Sequence, residues 1–275
     1  MIGTIPPEVQ AMRAEGADIL RRRQDYPDGL LIEPHSHPRG QLLYGLTGIA
    51  LVRTRDGAWM MPPERVLWIP PGITHEVRMI GEVQMRSLYL RPGAVPPAAR
   101  LPGDRCEVFA VSTLMRCLIA EAAEIVAEAP TDSRDAALLA LLLHEVARLE
   151  PIPLSVPMPA DPALRQLCSD FLLAPDAGQG IDRWADRLNM SRRSFTRHFR
   201  EGTGLSFGDW RQRAVVLAAV PRLLAREPVT GVALDLGYDT PAAFTAMFRR
   251  VTGAAPRDYV NGSVTAAENT DAIPT

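Results

Sequence analysis

WADRLNMSRRSFTRHFREGTG at 184–204 returns in altered form as VALDLGYDTPAAFTAMFRRVTG at 232–253. Ala185 matches Ala233, Leu188 matches Leu236, Phe195 matches Phe244 and Thr196 matches Thr245. Phe199, Arg200 and Gly204 match Phe248, Arg249 and Gly253. Each copy reads as a short helix, a tight turn and a second helix. Asn189 and Gly237 stand at the turns, where a left-handed backbone is tolerated. Ser191 and Thr240 follow as N-caps of the second helices. A doubled helix-turn-helix in the last hundred residues is the architecture this predicts.

The two second helices differ in what they turn outward. At about 100° per residue, Arg192, Arg193, Thr196, Arg197 and Arg200 fall within an arc of about 140°, and Phe195 and Phe199 lie outside it. A solvated helix face normally mixes both charge signs. This one carries four guanidiniums, a hydroxyl and no acid, which suits a DNA major groove. The second copy offers Pro241, Ala242, Thr245, Ala246 and Arg249 at the equivalent positions. Only Thr245 and Arg249 can hydrogen-bond. That helix is expected to hold phosphates through Arg249 and Arg250 and to read little sequence directly, its small side chains touching thymine methyls at most. Between the copies, Phe207 to Arg226 is long enough for a rod of about 30 Å, close to the roughly 34 Å between successive major-groove faces. Pro221 is expected to end or bend that rod near Val220.

This region resembles the AraC/XylS family of bacterial transcription regulators. The resemblance rests on SFTRHFREGTGLSFGDWRQRAV, on VALDLGYDTPAAFTAMFRRVTGAAPRDYV and on the terminal G-x-x-P-x-x-Y at Gly253, Pro256 and Tyr259. It implies base contacts at Arg193, Thr196, Arg197 and Arg200, and at Pro241, Ala242, Thr245 and Ala246. The last four depart from the polar residues usual there.

Working back from the repeat, PIPLSVPMPADP places five prolines between Pro151 and Pro162. Proline this dense continues neither a helix nor a central strand, so 151–160 reads as an extended linker. Charge changes at the same seam: residues 1–160 hold 16 arginines against 19 acids, and 161–258 hold 14 against 11. The swing points to a nucleic-acid partner for the second half. All 30 cations are arginines, with no lysine, which a GC-rich genome accounts for.

The first hundred residues are short apolar runs broken by Gly and Pro, among them QLLYGL, IALVRT, AWMMPP, RVLWIP and MRSLYL. They predict an antiparallel barrel or sandwich over 1–108. From Phe109 to Leu149 the texture turns helical, in two segments separated by Pro130, with Thr131 or Asp132 capping the second. LLALLLHEV is apolar nearly all round and belongs either against the barrel or in a subunit interface; the interface reading makes 109–150 a dimerisation element and the chain a homodimer. Residues 261–275 read as a disordered tail. The fold class is thus multi-domain α+β, an antiparallel barrel with a helical pair and then an all-α double helix-turn-helix domain over 161–260.

His35 and His37 share a strand face, and His75 opens a later strand. Three neutral imidazoles, with Gln41 nearby, would suit a divalent metal such as Zn, Ni or Fe. HSHPRGQLLYGLTG resembles the first cupin motif at His35, His37 and Gly48, with Gln41 where an acid is usual, and PPGITH resembles the second at Pro70, Gly72 and His75. The cupin resemblance implies a small-molecule sensor barrel, with or without a metal. Tyr44, Trp59, Trp68 and Tyr89 either line a small-molecule pocket or fill the core. The candidate effector set is therefore His35, His37, Gln41, Tyr44, Trp68 and His75, with His35, His37, Gln41 and His75 also the candidate metal ligands.

No apolar run approaches the roughly 20 residues of a membrane span. The opening residues lack a secretory pattern, and three scattered cysteines suit reduced thiols, so the cytoplasm is the expected compartment. The leading expectation is a ligand-responsive regulator bound to promoter or operator double-stranded DNA, with no catalytic residues. The alternatives are a metal-dependent cupin enzyme fused to a DNA-binding half and a non-specific architectural DNA binder.

Overall fold

The structure is a computed structural model that describes residues 2–3, 16–125, 133–152 and 154–260. The expected tail at 261–275 and the caps Thr131 and Asp132 lie outside them. The chain forms two compact units that divide after Ile152, with residues 55–58 grouped with the second. Among the described residues no helix is long and apolar enough to cross a membrane.

The first unit is built on two sheets. One runs β1 (Ile2–Gly3), β3 (Leu31–His35), β8 (His75–Ile80), β5 (Ile49–Thr54) and β6 (Gly57–Met61) in spatial order. The other runs β11 (Glu150–Pro151), β10 (Glu107–Ala110), β7 (Arg65–Ile69), β4 (Gly40–Gly45), β9 (Val83–Leu90) and β2 (Ile19–Tyr26). The β1–β3 pair is parallel, and the β2–β9, β4–β9, β4–β7 and β5–β8 pairs are antiparallel. Side chains alternate across the second sheet. Leu42, Tyr44, Val66, Trp68, Leu88 and Leu90 point to its outer face and join one apolar cluster. Gly40 belongs to that face, where an added Cβ would sit 1.9 Å from the Trp68 ring; only glycine lets the tryptophan lie flat on the strand.

Two helices, α1 (Thr113–Glu124) and α2 (Ser133–Val146), cover this outer face. Ser112 caps α1 by accepting from Met115 N–H at 3.0 Å. Met115, Leu118, Ile119, Leu142 and Val146 are buried in the cluster, and Leu138, Leu139 and Leu143 pack against it. The apolar run of α2 is therefore spent largely on the sheet, and Leu114 and Leu141, 46% and 42% exposed, are the large apolar side chains of the pair left at the surface. The barrel also runs further than expected, because β10 continues through Phe109 and Ala110 before the helices begin. Nor is 151–160 a free linker. Pro151 pairs with Phe109 at a sheet edge, where proline's missing N–H does no harm, and β12 (Ser155–Pro157) buries Ser155 and Val156.

The second unit is helical: α3 (Pro162–Leu173), α4 (Ile181–Arg187), α5 (Arg192–Thr203), α6 (Phe207–Leu224), α7 (Val229–Asp235) and α8 (Pro241–Thr252). Trp184 of α4 lies at the centre of the first motif, with ring centroids of Phe207, Trp210 and Phe199 at 5.0, 5.9 and 6.2 Å. The helix α6 does not stop at Val220; it carries Pro221 within it and runs to Leu224, 18 residues or about 27 Å. Val215, Val216, Ala219, Val220 and Leu223 are all buried, and this packing outweighs the one hydrogen bond that Pro221 cannot donate to the Leu217 carbonyl.

Candidate DNA interface and effector cavity

Local chemistry sets up both recognition helices. Asn189 and Gly237 have φ of 52° and 80° at the two turns. Ser191 Oγ accepts from Ser194 N–H at 3.2 Å, and Thr240 Oγ1 accepts from Ala243 N–H at 3.2 Å. Both helices end at a left-handed glycine, Gly204 or Gly253. The Gly237 turn also touches the loop that precedes α4. Ala177 N–H donates to the Leu236 carbonyl at 2.8 Å, and a Cβ on Gly237 would lie 2.2 Å from Asp176 Oδ1. The second motif is docked on the loop that precedes the first.

On α5, Phe195 and Phe199 are fully buried, and Arg192, Arg193, Thr196, Arg197 and Arg200 are exposed, as the helical arc predicts. The face is less unmixed than the sequence suggested. Arg192 lies 3.5 Å from Asp182, and Arg197 lies 4.0 Å from Glu201 one turn on. Both pairs are more than two-thirds exposed, so water competes for them and they are worth at most about 1 kcal/mol each. Arg193 and Arg200 have no carboxylate partner among the described residues. Thr196 Oγ1 donates to the Arg192 carbonyl at 2.8 Å and keeps its lone pairs free. On α8, Phe244, Met247 and Phe248 are buried, Thr245 is half-buried, and Arg249 and Arg250 are exposed in the last turn.

In the first unit the three histidines do come together: ring centroids lie 4.3 Å apart for His35 and His75, 5.3 Å for His37 and His75, and 6.3 Å for His35 and His37. The β3–β8 pairing sets His35 opposite His75. Their Nδ1 atoms lie 2.9 Å from the carbonyls of Glu33 and Ile73. A carbonyl only accepts, so Nδ1 carries the proton in each and Nε2 keeps a lone pair. Burial holds all three imidazoles below their ordinary value, His75 down to about 3.

His37 is committed differently. Its Nδ1 lies 2.6 Å from the Arg39 carbonyl and its Nε2 lies 3.0 Å from the Gln41 side-chain amide. The same amide reaches Ser87 Oγ at 3.0 Å and Tyr89 Oη at 3.2 Å. A neutral His37 requires the amide NH2 to face Nε2, with the two hydroxyls then donating to the amide oxygen. Two imidazole lone pairs remain, and among the described residues no three His, Cys, Asp or Glu side chains are arranged to hold a metal ion. This donor set does not fit the three-imidazole Zn, Ni or Fe site.

A cavity of about 20 Å³ opens between the sheets beside this network. His35, Gln41, His75 and Tyr89 line it, joined by Arg22, Tyr26 and Ser87 over a floor of Ile32, Leu43, Val77 and Met85. Arg22 and Tyr26 were not found from the sequence. Their alternation in ILRRRQDY was the available signal, but which face it selects depends on the pairing with β9. Tyr44 and Trp68 are placed wrongly by the sequence reading: they lie on the outer face against the helices, and Trp68 Nε1 donates to the Pro102 carbonyl at 2.8 Å. Trp59 is buried and does not line the cavity either. Arg86, on the outer face, lies 3.7 Å from Asp25.

Comparison with known proteins matches residues 16–147 to the AraC-like ligand binding domain and residues 184–262 to a helix-turn-helix domain. The regulatory protein SoxS of Escherichia coli (strain K12) is 36% identical over 85 residues, which are 30% of this chain and 79% of SoxS. The chain belongs to the AraC/XylS family of transcription regulators. The HTH-type transcriptional regulator NimR of the same strain is 29% identical over 233 residues, 85% of this chain and 84% of NimR. The arabinose operon regulatory protein of that strain is 29% identical over 138 residues, 48% of this chain and 47% of that protein. The regulator thus couples a cupin-like, ligand-binding sandwich to a DNA-binding double helix-turn-helix.

Proposed function

We propose that this regulator recognises a specific operator chiefly through α5 and changes its occupancy when a small molecule enters the cavity between its two sheets. The observation that carries the reading is the α5 face, where four exposed arginines and Thr196 stand on a helix anchored by two fully buried phenylalanines. Arg193 and Arg197 are assigned to base edges, since a forked guanidinium matches guanine O6 and N7. Thr196 supports them. Arg192, Arg200, Arg249 and Arg250 are assigned to phosphates and Thr245 to the groove floor.

The effector site is read as Arg22, Tyr26, His35, Gln41, His75, Ser87 and Tyr89, with His37 holding Gln41 in place. The lining sets a few convergent polar groups over an apolar floor, the make-up of a small-molecule binding site. Domain roles follow: a sensor made of the sandwich and its helical pair, and a reader made of α3 to α8. The exposed Leu114 and Leu141 support the helical pair as the contact of a homodimer acting on cytoplasmic DNA.

Footprinting of genomic fragments with the full-length protein tests the reading. A discrete protected site is the expected result. Equal affinity for that site and for scrambled duplex at the same salt would refute it, because salt-dependent phosphate binding alone carries no sequence preference.

A further inference from the structure

We infer that α8 is a thymine reader that works through 5-methyl groups, so that the operator pairs a guanine-containing element under α5 with a thymine-bearing element under α8. This rests on the DNA-binding reading above and asks which base the second helix prefers.

Over the first two turns of α8 the outward side chains are small. Ala242, Ala243 and Ala246 are exposed, Pro241 and Thr245 are half-buried, and the arginines begin only at Arg249. Phe244, Met247 and Phe248 are buried, and Thr240 fixes the first turn, so this face is presented rigidly. Apart from the Thr245 hydroxyl, every side-chain atom it can set against a base is aliphatic carbon. In the major groove guanine, cytosine and adenine present only acceptors and donors, and thymine alone adds an apolar group. Methyl groups laid over guanine O6 or cytosine N4 strip water from a polar edge and return no hydrogen bond. Laid over a thymine methyl they bury apolar surface against apolar surface. Short side chains also let the helix backbone come close to the groove floor, where methyl contact needs it. α5 reaches the same depth with long guanidinium arms. The two copies of one motif therefore divide the work by chemistry, one polar and one apolar.

The test uses the full-length chain. Sites are first selected from a random duplex pool, and each selected thymine is then replaced singly by deoxyuridine, which pairs identically and lacks only the methyl. The expected result is a loss of roughly fourfold in affinity at one or more thymines about one helical turn from the guanine element. Ala246→Ser, at an exposed position, is expected to shrink that loss at one thymine and to leave the guanine preference unchanged. Selected sites in which uracil is tolerated at every thymine overturn the methyl reading and leave the DNA-binding reading standing. Failure to enrich any sequence overturns both.

Discussion

Replacing Arg197 by alanine separates reading from holding. Arg197 is 75% exposed, and its Nε lies 4.0 Å from Glu201, an i,i+4 pair worth about 0.3–0.5 kcal/mol. Swinging onto a base forfeits that pair. A bidentate guanine contact returns about 1–3 kcal/mol of discrimination. The net loss on Arg197→Ala is then about 0.5–2.7 kcal/mol at the operator, roughly 2- to 100-fold in affinity. On scrambled duplex the same variant loses only what one weakly held cation contributes. Arg250→Ala, in the last turn of α8, is expected to weaken operator and scrambled DNA alike and to reduce the slope of log affinity against log salt by about 0.9. Fluorescence anisotropy with both duplexes across a salt series measures all four quantities. Equal factors for the two variants on both duplexes would show that α5 holds the backbone and reads nothing. A base-specific loss confined to Arg250→Ala would put the reader on the other helix.

Phe199→Ala opens a hole among Trp184, Phe195, Phe207 and Trp210, and is expected to cost about 3–5 kcal/mol in urea denaturation; a loss below 1 kcal/mol would contradict the packing. Gly237→Ala forces a Cβ against Asp176 at a φ of 80°, so it is expected to lower Tm and weaken DNA binding together, whereas Gly231→Ala, with open space at its Cβ, is expected to be tolerated. Stability is expected to fall on acidification. His75 titrates near 3 when folded and near 6.5 when unfolded, so the unfolded chain binds the extra proton between those values. Moving from pH 6.5 to 5 then costs about 1.6 kcal/mol from His75 alone, and His75→Gln is expected to flatten that slope in melts at the two pH values. An unchanged slope in the variant counts against a neutral buried His75.

The reader was legible because its signals are local. Asn189 and Gly237 need a left-handed backbone, Ser191 and Thr240 need only the next turn of their own helices, and Phe195 and Phe199 share a face by helical period alone. The sandwich was legible as an architecture and as a histidine cluster, since His35 pairs with His75 wherever those two strands meet. Which side chains face inward was harder. Gln41 and Tyr44 stand three residues apart on β4, so they take opposite faces, and nothing local says which face is the cavity. Arg22 sits in a run of three arginines that reads as surface until the β2–β9 pairing turns the middle one inward. Pro221 shows the converse: the local rule ends the helix, and five buried aliphatic neighbours carry it one turn further.

The cavity also constrains how an effector would act. About 20 Å³ is room for roughly one water, so a larger molecule has to displace the side chains around it. The strand best placed to respond is β2. Its Arg22 lines the cavity, while the next residue, Arg23, points to the opposite face and holds Glu124 of α1 at 2.8 Å. Both members of that ion pair are more than half exposed, so it is worth under about 1 kcal/mol and steers more than it holds. The stronger link is apolar: Ile19 of the same strand is buried with Ile119 of α1 and with Leu142 and Val146 of α2. Close-packed contacts of that kind resist gradual deformation and exchange between discrete arrangements. A coupling of about 1–3 kcal/mol to DNA binding therefore demands an effector that prefers one arrangement of β2 and the helical pair by about 5- to 150-fold, and tight binding without that preference would change nothing.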